Sequence, residues 1–258
     1  MNFLRIAILS DSHLIKDKDF LGINTYDSLT AIVDLIKLNI DRYDIIMILG
    51  DLVQDQNEDS FEFFNIQLSR LKKKKLIIRG NHDIKENLPI NDFFEYNEDI
   101  ISNNWILIPI ESYVKNKIYG EVSDSKLRDI RSKLINQPSL NGLIYMHHNL
   151  FETNSDWLDI HITRNFAHIR SELSKISNLR LVISGHIHQY TKNIISNLTF
   201  LSIPSTSAQF TSSTKEFTLD KVNPGYMELE LYDNGEFKYN IIRTKISYGI
   251  PDISPKPY

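Results

Sequence analysis

Five short apolar runs in this chain end in turns that carry Asp, His or Asn, and this strand-end pattern constrains the fold more than any other feature. Residues 3–9 (FLRIAIL) lead into Asp11-Ser12-His13. Residues 44–49 (DIIMIL) lead into Gly50-Asp51, and residues 76–79 (LIIR) into Gly80-Asn81-His82-Asp83. Residues 143–146 lead into His147-His148, and residues 180–184 into Gly185-His186-Ile187-His188. These runs, and a sixth over 105–110, read as buried strands because they are short, apolar and rich in β-branched residues. Apolar stripes at helical spacing separate them: Leu29, Ile32, Val33 and Ile36; Phe61, Phe64, Leu68 and Leu71; Leu127, Ile130 and Leu134; Phe166, Ile169, Leu173 and Ile176. Strand–helix alternation of this kind predicts an α/β fold with helices on the sheet faces. Residues 193–243 are strand-like instead, with turns at Asn197, Asn223-Pro224-Gly225 and Asp233-Asn234-Gly235. The last of these predicts a hairpin between residues 227–232 and 237–242. Residues 1–245 are expected to form a single domain, followed by a proline-rich, extended tail over 246–258.

Composition matters here for what it removes. The 258-residue chain has no Cys, which excludes disulfides and any thiolate metal site. Its formal charge is −4 and it carries no long basic stripe, so no nucleic-acid partner is expected. The one charge block, residues 72–75, reads as a solvated helix end. Arg5 breaks the apolar start, and no run approaches the roughly 18 residues of a membrane span, so a cytoplasmic protein without membrane contact is expected.

In open α/β sheets, ligands bind beyond the carboxyl ends of the strands. Six of the eight histidines lie in the strand-end turns; only His161 and His168 fall outside, and His168 reads as a surface residue. Each turn alone is a weak signal. Together they assemble imidazole, carboxylate and amide groups, which suit first-row ions such as Mn, Fe, Zn and Co. Seven ligands divide into two sites if one Asp bridges, and two ions about 3.5–4 Å apart can clamp the attacking and leaving oxygens of a phosphoryl displacement.

Taken in order, these turns resemble the five-block signature of the calcineurin-like metallophosphoesterases. Further stretches resemble the bacterial class III 3′,5′-cyclic AMP phosphodiesterases within that family. They are LGINTYDSL (21–29), GDLVQDQ (50–56), WLD (157–159) with Arg164-Asn165, GHIHQ (185–189), PSTSAQF (204–210) and FTLD (217–220) with Pro224-Gly225-Tyr226. The resemblance implies a four-layer αββα sandwich, two mixed sheets flanked by helices. It implies two metal ions, with Fe and Mn expected ahead of Zn or Co. Asp11, His13 and His188 would hold the first ion, Asn81, His147 and His186 the second, and Asp51 would bridge. A hydroxide bridging the ions would attack phosphorus. His82 would supply a proton to the leaving 3′ oxygen, beside Asn81 and with Asp83 orienting its ring. Substrate contacts would come from His13, Asp51, Asn81, His82 and His188.

The chain departs from the family pattern at Arg79, at Asn149 and over residues 150–156, which lack prolines. These positions bear on substrate preference more than on catalysis, and Arg79 reads as a packing or surface residue. The expected activity is hydrolysis of cyclic AMP to AMP, by a monomer or homodimer. The alternatives are a broader phosphodiesterase or phosphomonoesterase, acting on other cyclic nucleotides, nucleic acid or small phosphoesters, and a non-catalytic scaffold on the same fold.

Overall fold

The structure is a computed structural model, and it describes residues 3–88 and 94–252. Strands β1 (Phe3–Leu9), β2 (Ile45–Ile48), β3 (Lys74–Ile77) and β4 (Phe94–Tyr96) run parallel to one another. A second sheet holds β5 (Ile100–Ser102), β6 (Trp105–Ile110), β7 (Asn141–Met146), β8 (Leu179–Ser184), β9 (Thr191–Ile195) and β10 (Leu198–Ser202), in the order β5-β6-β7-β8-β10-β9. β11 (Gln209–Phe210) and β12 (Leu219–Asp220) make a small antiparallel pair. The hairpin of β13 (Gly225–Tyr232) and β14 (Phe237–Arg243) lies where the Asp-Asn-Gly turn predicts it, and returns to the first sheet by pairing β13 antiparallel to β1. Both sheets are mixed: the second has a parallel centre and two antiparallel edges, while the first is parallel up to its β4 edge and antiparallel on the β13–β14 side.

Alternation along the strands separates three apolar layers. Leu4, Ile6 and Ile8 of β1 face the middle layer, where they meet Leu107, Leu143, Tyr145, Leu181 and Ile183 of the second sheet. Ala7 and Leu9 point the other way, toward α1 (Thr25–Leu38) and α2 (Glu58–Ser69). On the far side Ile106, Ile144 and Val182 pack on α3 (Asp124–Ile135) and α5 (Phe166–Ser174); a short α4 (Asp156–Asp159) precedes α5. The layers therefore run helix, sheet, sheet, helix. The helices carry the predicted stripes inward, with Leu29, Ile32, Val33 and Ile36 all buried. Their starts are capped by side chains: Asn24 accepts from the Asp27 amide at 3.0 Å, and Asn57 from that of Asp59 at 2.9 Å.

The lysine block differs from its reading as a solvated helix end. α2 stops at Ser69, and Lys74 and Lys75 open β3. Lys75 is 1% exposed. Its stem packs inward while its ammonium donates to the carbonyls of Leu71 at 2.6 Å and Lys73 at 3.0 Å, as a long amphipathic side chain can. The C-terminal segment up to Asp252 lies against residues 21–24: Tyr248 accepts from the Asn24 amide at 2.8 Å, and Asp252 donates to Leu21 at 3.1 Å. The last residues of the expected tail, 253–258, lie outside the described residues.

Candidate metal centre

The carboxyl ends of the two central strand sets meet at one place. The turns after β1 and β2 are joined by backbone bonds from Asp11 to Gly50 and from His13 to Asp51, both 3.0 Å. The turn after β8 crosses to the first sheet, where the His186 amide donates to both Asp11 carboxylate oxygens at 3.1 and 3.2 Å. Gly80 and Gly185 sit where the turns touch. A Cβ on Gly80 would collide with the Asp51 carboxylate, and one on Gly185 with Ser10 Oγ. Asp11, His13, Asp51, His186 and His188 all take positive φ between 41° and 69°. Each such non-glycine residue costs on the order of 1–3 kcal/mol, a strain that persists only where surrounding contacts over-determine the backbone.

All seven residues read from the sequence as metal ligands stand in one cluster. Ligand atoms of Asp11, His13 and His188 lie within 4.8 Å of one another, as do those of Asp11, Asp51 and His147. Asn81 Oδ1 is 3.1 Å and Asp51 Oδ2 3.2 Å from His147 Nε2. His13 Nε2 and His188 Nε2 are 3.1 Å apart. His186 is 5.0 Å from His147 between ring centres, and its buried Nε2 has no hydrogen-bond partner among the described residues.

The outward ring nitrogens explain why the inward ones can serve a cation. Gln54 Oε1 takes a bond from His13 Nδ1 at 2.7 Å, the Leu49 carbonyl from His147 Nδ1 at 2.6 Å, and the Ala208 carbonyl from His188 Nδ1 at 2.8 Å. These partners only accept there, so each Nδ1 carries a proton and each Nε2 is the nitrogen that faces the cluster, able to bind a cation once it is unprotonated. The centre thus gathers imidazole nitrogens, carboxylates and an amide oxygen, the donor set that suits a divalent first-row ion. His148 is different. Its Nε2 donates to the Ile118 carbonyl at 2.9 Å, and its Nδ1 meets the Ser112 hydroxyl at 2.8 Å, so neither nitrogen is free.

Electrostatics divides the cluster in the metal-free protein, with His147 held protonated and His13 and His186 neutral. Burial pushes the Asp51 carboxyl up, but His147, His82 and His13 together hold it well below its usual range. Burial also disfavours a charged His147, yet the Asp51 carboxylate outweighs it and raises that imidazole to about 9. In His13 burial wins over Asp51 and lowers the ring to about 3. Burial, reinforced by His148 and His147, lowers His186 well below normal.

The expectation that Asp83 orients the His82 ring is not met. The Asp83 carboxylate is fully enclosed and accepts backbone bonds from Asp51 at 2.7 Å, Gly80 at 2.8 Å and Leu52 at 2.9 Å. It ties the turn after β2 to the turn after β3. Burial, with repulsion from Asp51, raises it to about 7. His82 is half-buried at the rim, its ring 5.0 Å from His13 and its amide held by Asp51 Oδ1 at 2.9 Å.

Several supporting residues were not singled out in the sequence. Besides Gln54, Phe20 stacks on His13 at 4.5 Å and Phe210 on His188 at 4.1 Å. Ser205 and Ser207 hydroxyls hold the Asp11 carbonyl at 2.7 and 2.8 Å. All but Phe20 fall in the quoted stretches GDLVQDQ and PSTSAQF, the only signal available for them. Of the departures, Arg79 bonds Glu111 at 3.0 Å and stacks over Tyr113, a packing role as expected. Asn149 closes its own loop by donating to the Phe151 carbonyl at 2.6 Å.

Comparison with known proteins agrees with this arrangement. The family described as calcineurin-like phosphoesterase matches residues 4–190. The chain is 28% identical to the 3′,5′-cyclic adenosine monophosphate phosphodiesterase CpdA of Escherichia coli K12, over 99% of this chain and 95% of that one. It is 31% identical to CpdA of Pseudomonas aeruginosa, over 92% and 88%. Among solved structures, a dimetal phosphatase from Danio rerio superposes with a TM-score of 0.68 at 12% identity, covering 95% of this chain and 98% of that one. Fold, strand-end cluster and sequence match converge, and the chain belongs to the calcineurin-like phosphoesterase family.

Proposed function

We propose that this chain is a metal-dependent 3′,5′-cyclic-nucleotide phosphodiesterase that hydrolyses cyclic AMP to AMP. The observation that carries the reading is the gathering of the Asp, His and Asn side chains of five strand-end turns into one cluster, in a chain that matches cyclic AMP phosphodiesterases along nearly its whole length. Asp11, His13 and His188 would hold one ion, Asn81, His147 and His186 another, with Asp51 between them. Bound there, divalent ions would supply Lewis-acid charge to the phosphoryl oxygens and an acidified water. Fe or Mn are the ions we expect from the family resemblance, ahead of Zn or Co, which the same imidazole, carboxylate and amide groups also suit.

The chain's own residues divide the remaining work. His82 stands at the rim of the cluster, where it can give a proton to the departing 3′ oxygen. Asn81, His13 and His188 border the same space and would contact phosphate oxygens. Asp83 acts at one remove, fixing the turns that present Asp51 and Asn81. Residues 1–245 form one catalytic unit in this reading, in keeping with the middle apolar layer shared by both sheets. In this reading the enzyme acts on its cyclic nucleotide in the cytoplasm.

The test is product analysis. Protein stripped by chelator and reconstituted with Mn or Fe should convert cyclic AMP to AMP. Reconstituted protein that leaves cyclic AMP intact while cleaving an artificial aryl diester refutes the substrate assignment.

A further inference from the structure

A cavity of about 120 Å³ opens beside the cluster. His186 belongs to both: its ring lies 5.0 Å from His147 and also lines the cavity, with Trp157, Phe217, Ile118, Ile160 and His161 among the other walls. The aromatic wall is built onto a cluster residue. Phe210 stacks on His188, Trp157 meets Phe210 at 5.1 Å and 81°, and Phe217 meets Trp157 at 4.7 Å and 74°. Trp157 is pinned by a bond from its indole N–H to Thr214 Oγ1 at 3.3 Å. At the mouth, Ile118 and Ile160 leave 42% and 62% of their surface to solvent.

We infer that this cavity is the nucleobase subsite. The inference rests on the phosphodiesterase reading, because that reading puts the phosphate at the cluster and the base, through the ribose, beside it. A purine is flat, with apolar faces and a polar edge. A slot with aromatic and aliphatic walls and a single further imidazole fits that chemistry, since bases bind proteins chiefly by contact with aromatic faces and by hydrogen bonds at their edges. His161, when neutral, offers one donor and one acceptor nitrogen to such an edge. Two exposed isoleucines at the mouth gain a partner when a base enters. Ile160 has no role in the metal cluster, so the slot can be altered without touching it.

The experiment is a titration of the metal-loaded protein with adenosine, followed by tryptophan fluorescence. Adenosine has no phosphate, so the result does not depend on hydrolysis. Trp105 is fully buried under the sheets, which leaves Trp157 as the reporter. Adenosine should quench the emission saturably, Trp157→Phe should remove the response, and Ile160→Asp should weaken binding about tenfold, the scale of one lost stacking or apolar contact. The same Ile160→Asp variant should raise KM for cyclic AMP with kcat little changed. No quenching, or equal quenching in wild type and Ile160→Asp, overturns the subsite. Cleavage of cyclic AMP without adenosine binding rejects the subsite and leaves the activity standing. Binding of adenosine by protein that leaves cyclic AMP intact rejects the activity and keeps the slot.

Discussion

Replacing Asp83 by Asn separates two roles for that residue. The carboxylate satisfies three buried backbone amides, those of Asp51, Gly80 and Leu52, at 2.7–2.9 Å. An amide of the same shape can place its oxygen toward Asp51 and Gly80, but its NH₂ group then faces the Leu52 donor. One buried N–H is orphaned, at about 1–3 kcal/mol, and two charge-assisted bonds become neutral ones. Against this, the buried carboxylate is itself disfavoured: burial and the Asp51 charge raise it to about 7. The net loss should be about 2 kcal/mol, which for a chain of this size lowers Tm by roughly 4–8 °C. The sign of the pH dependence follows from the same shift. A carboxyl whose folded pKa lies above its unfolded value favours the fold when protonated, so its ionisation removes stability as pH rises from about 4 to about 7. Asn does not ionise, and the gap between wild type and variant should narrow over that window. The assay is thermal unfolding of chelator-treated protein, which removes metal stabilisation from the comparison. An unchanged Tm alongside a reduced kcat would refute the reasoning and return Asp83 to the His82 ring.

Three other perturbations test neighbouring parts of the argument. His82→Ala should lower kcat for cyclic AMP by about 10²–10⁴ while bound metal, measured by elemental analysis, stays at the wild-type level. Because Asp51 holds the His147 imidazole at about 9 in the metal-free protein, an arriving ion must displace that proton. Metal affinity should therefore rise with pH up to about 9, with proton release visible by calorimetry in buffers of different ionisation enthalpy; a flat profile between pH 7 and 9 contradicts the assignment. Gly80→Ala should abolish stoichiometric metal binding, because its Cβ would displace the Asp51 carboxylate and press on the His147 ring, 2.6 Å from Cε1; full metal content in a folded variant counts against the close approach.

Much of the architecture is legible in the sequence, and the failures have physical causes. β1 and β6 appear at the residues where period and β-branching place them. β3 begins two residues before its expected start, because lysines at positions 74 and 75 disguise it, although the Lys75 stem buries like an aliphatic chain. β4, β5 and α4 have three or four residues each, too few to show a period. The candidate ligands are legible because metal chemistry admits few residue types. Their supports are not. His147 and His188 are oriented by main-chain carbonyls, which any residue could supply, and Asp83 turns away from its sequence neighbour to reach three amides that folding brings near.

The supports also account for how so costly a centre can exist. Imidazoles of His13, His147 and His188 crowd against two buried carboxylates, and five of the residues involved hold left-handed backbone. Left alone, such turns would relax. Here each is tied from a different element. The Asp11 carbonyl is held by serines from the loop after β10, the Asp11 carboxylate by the turn after β8, and the turn after β2 by Asp83 from the turn after β3. Those elements are in turn fixed by three apolar layers, so no single turn can relax without disturbing packing on both sheets. A cation entering the cluster removes the repulsion that the scaffold otherwise bears, which makes occupancy and folding stability one coupled quantity. The two-sheet sandwich is thus more than a platform for the cluster: rigidity on both sides keeps these buried polar side chains together before any ion arrives.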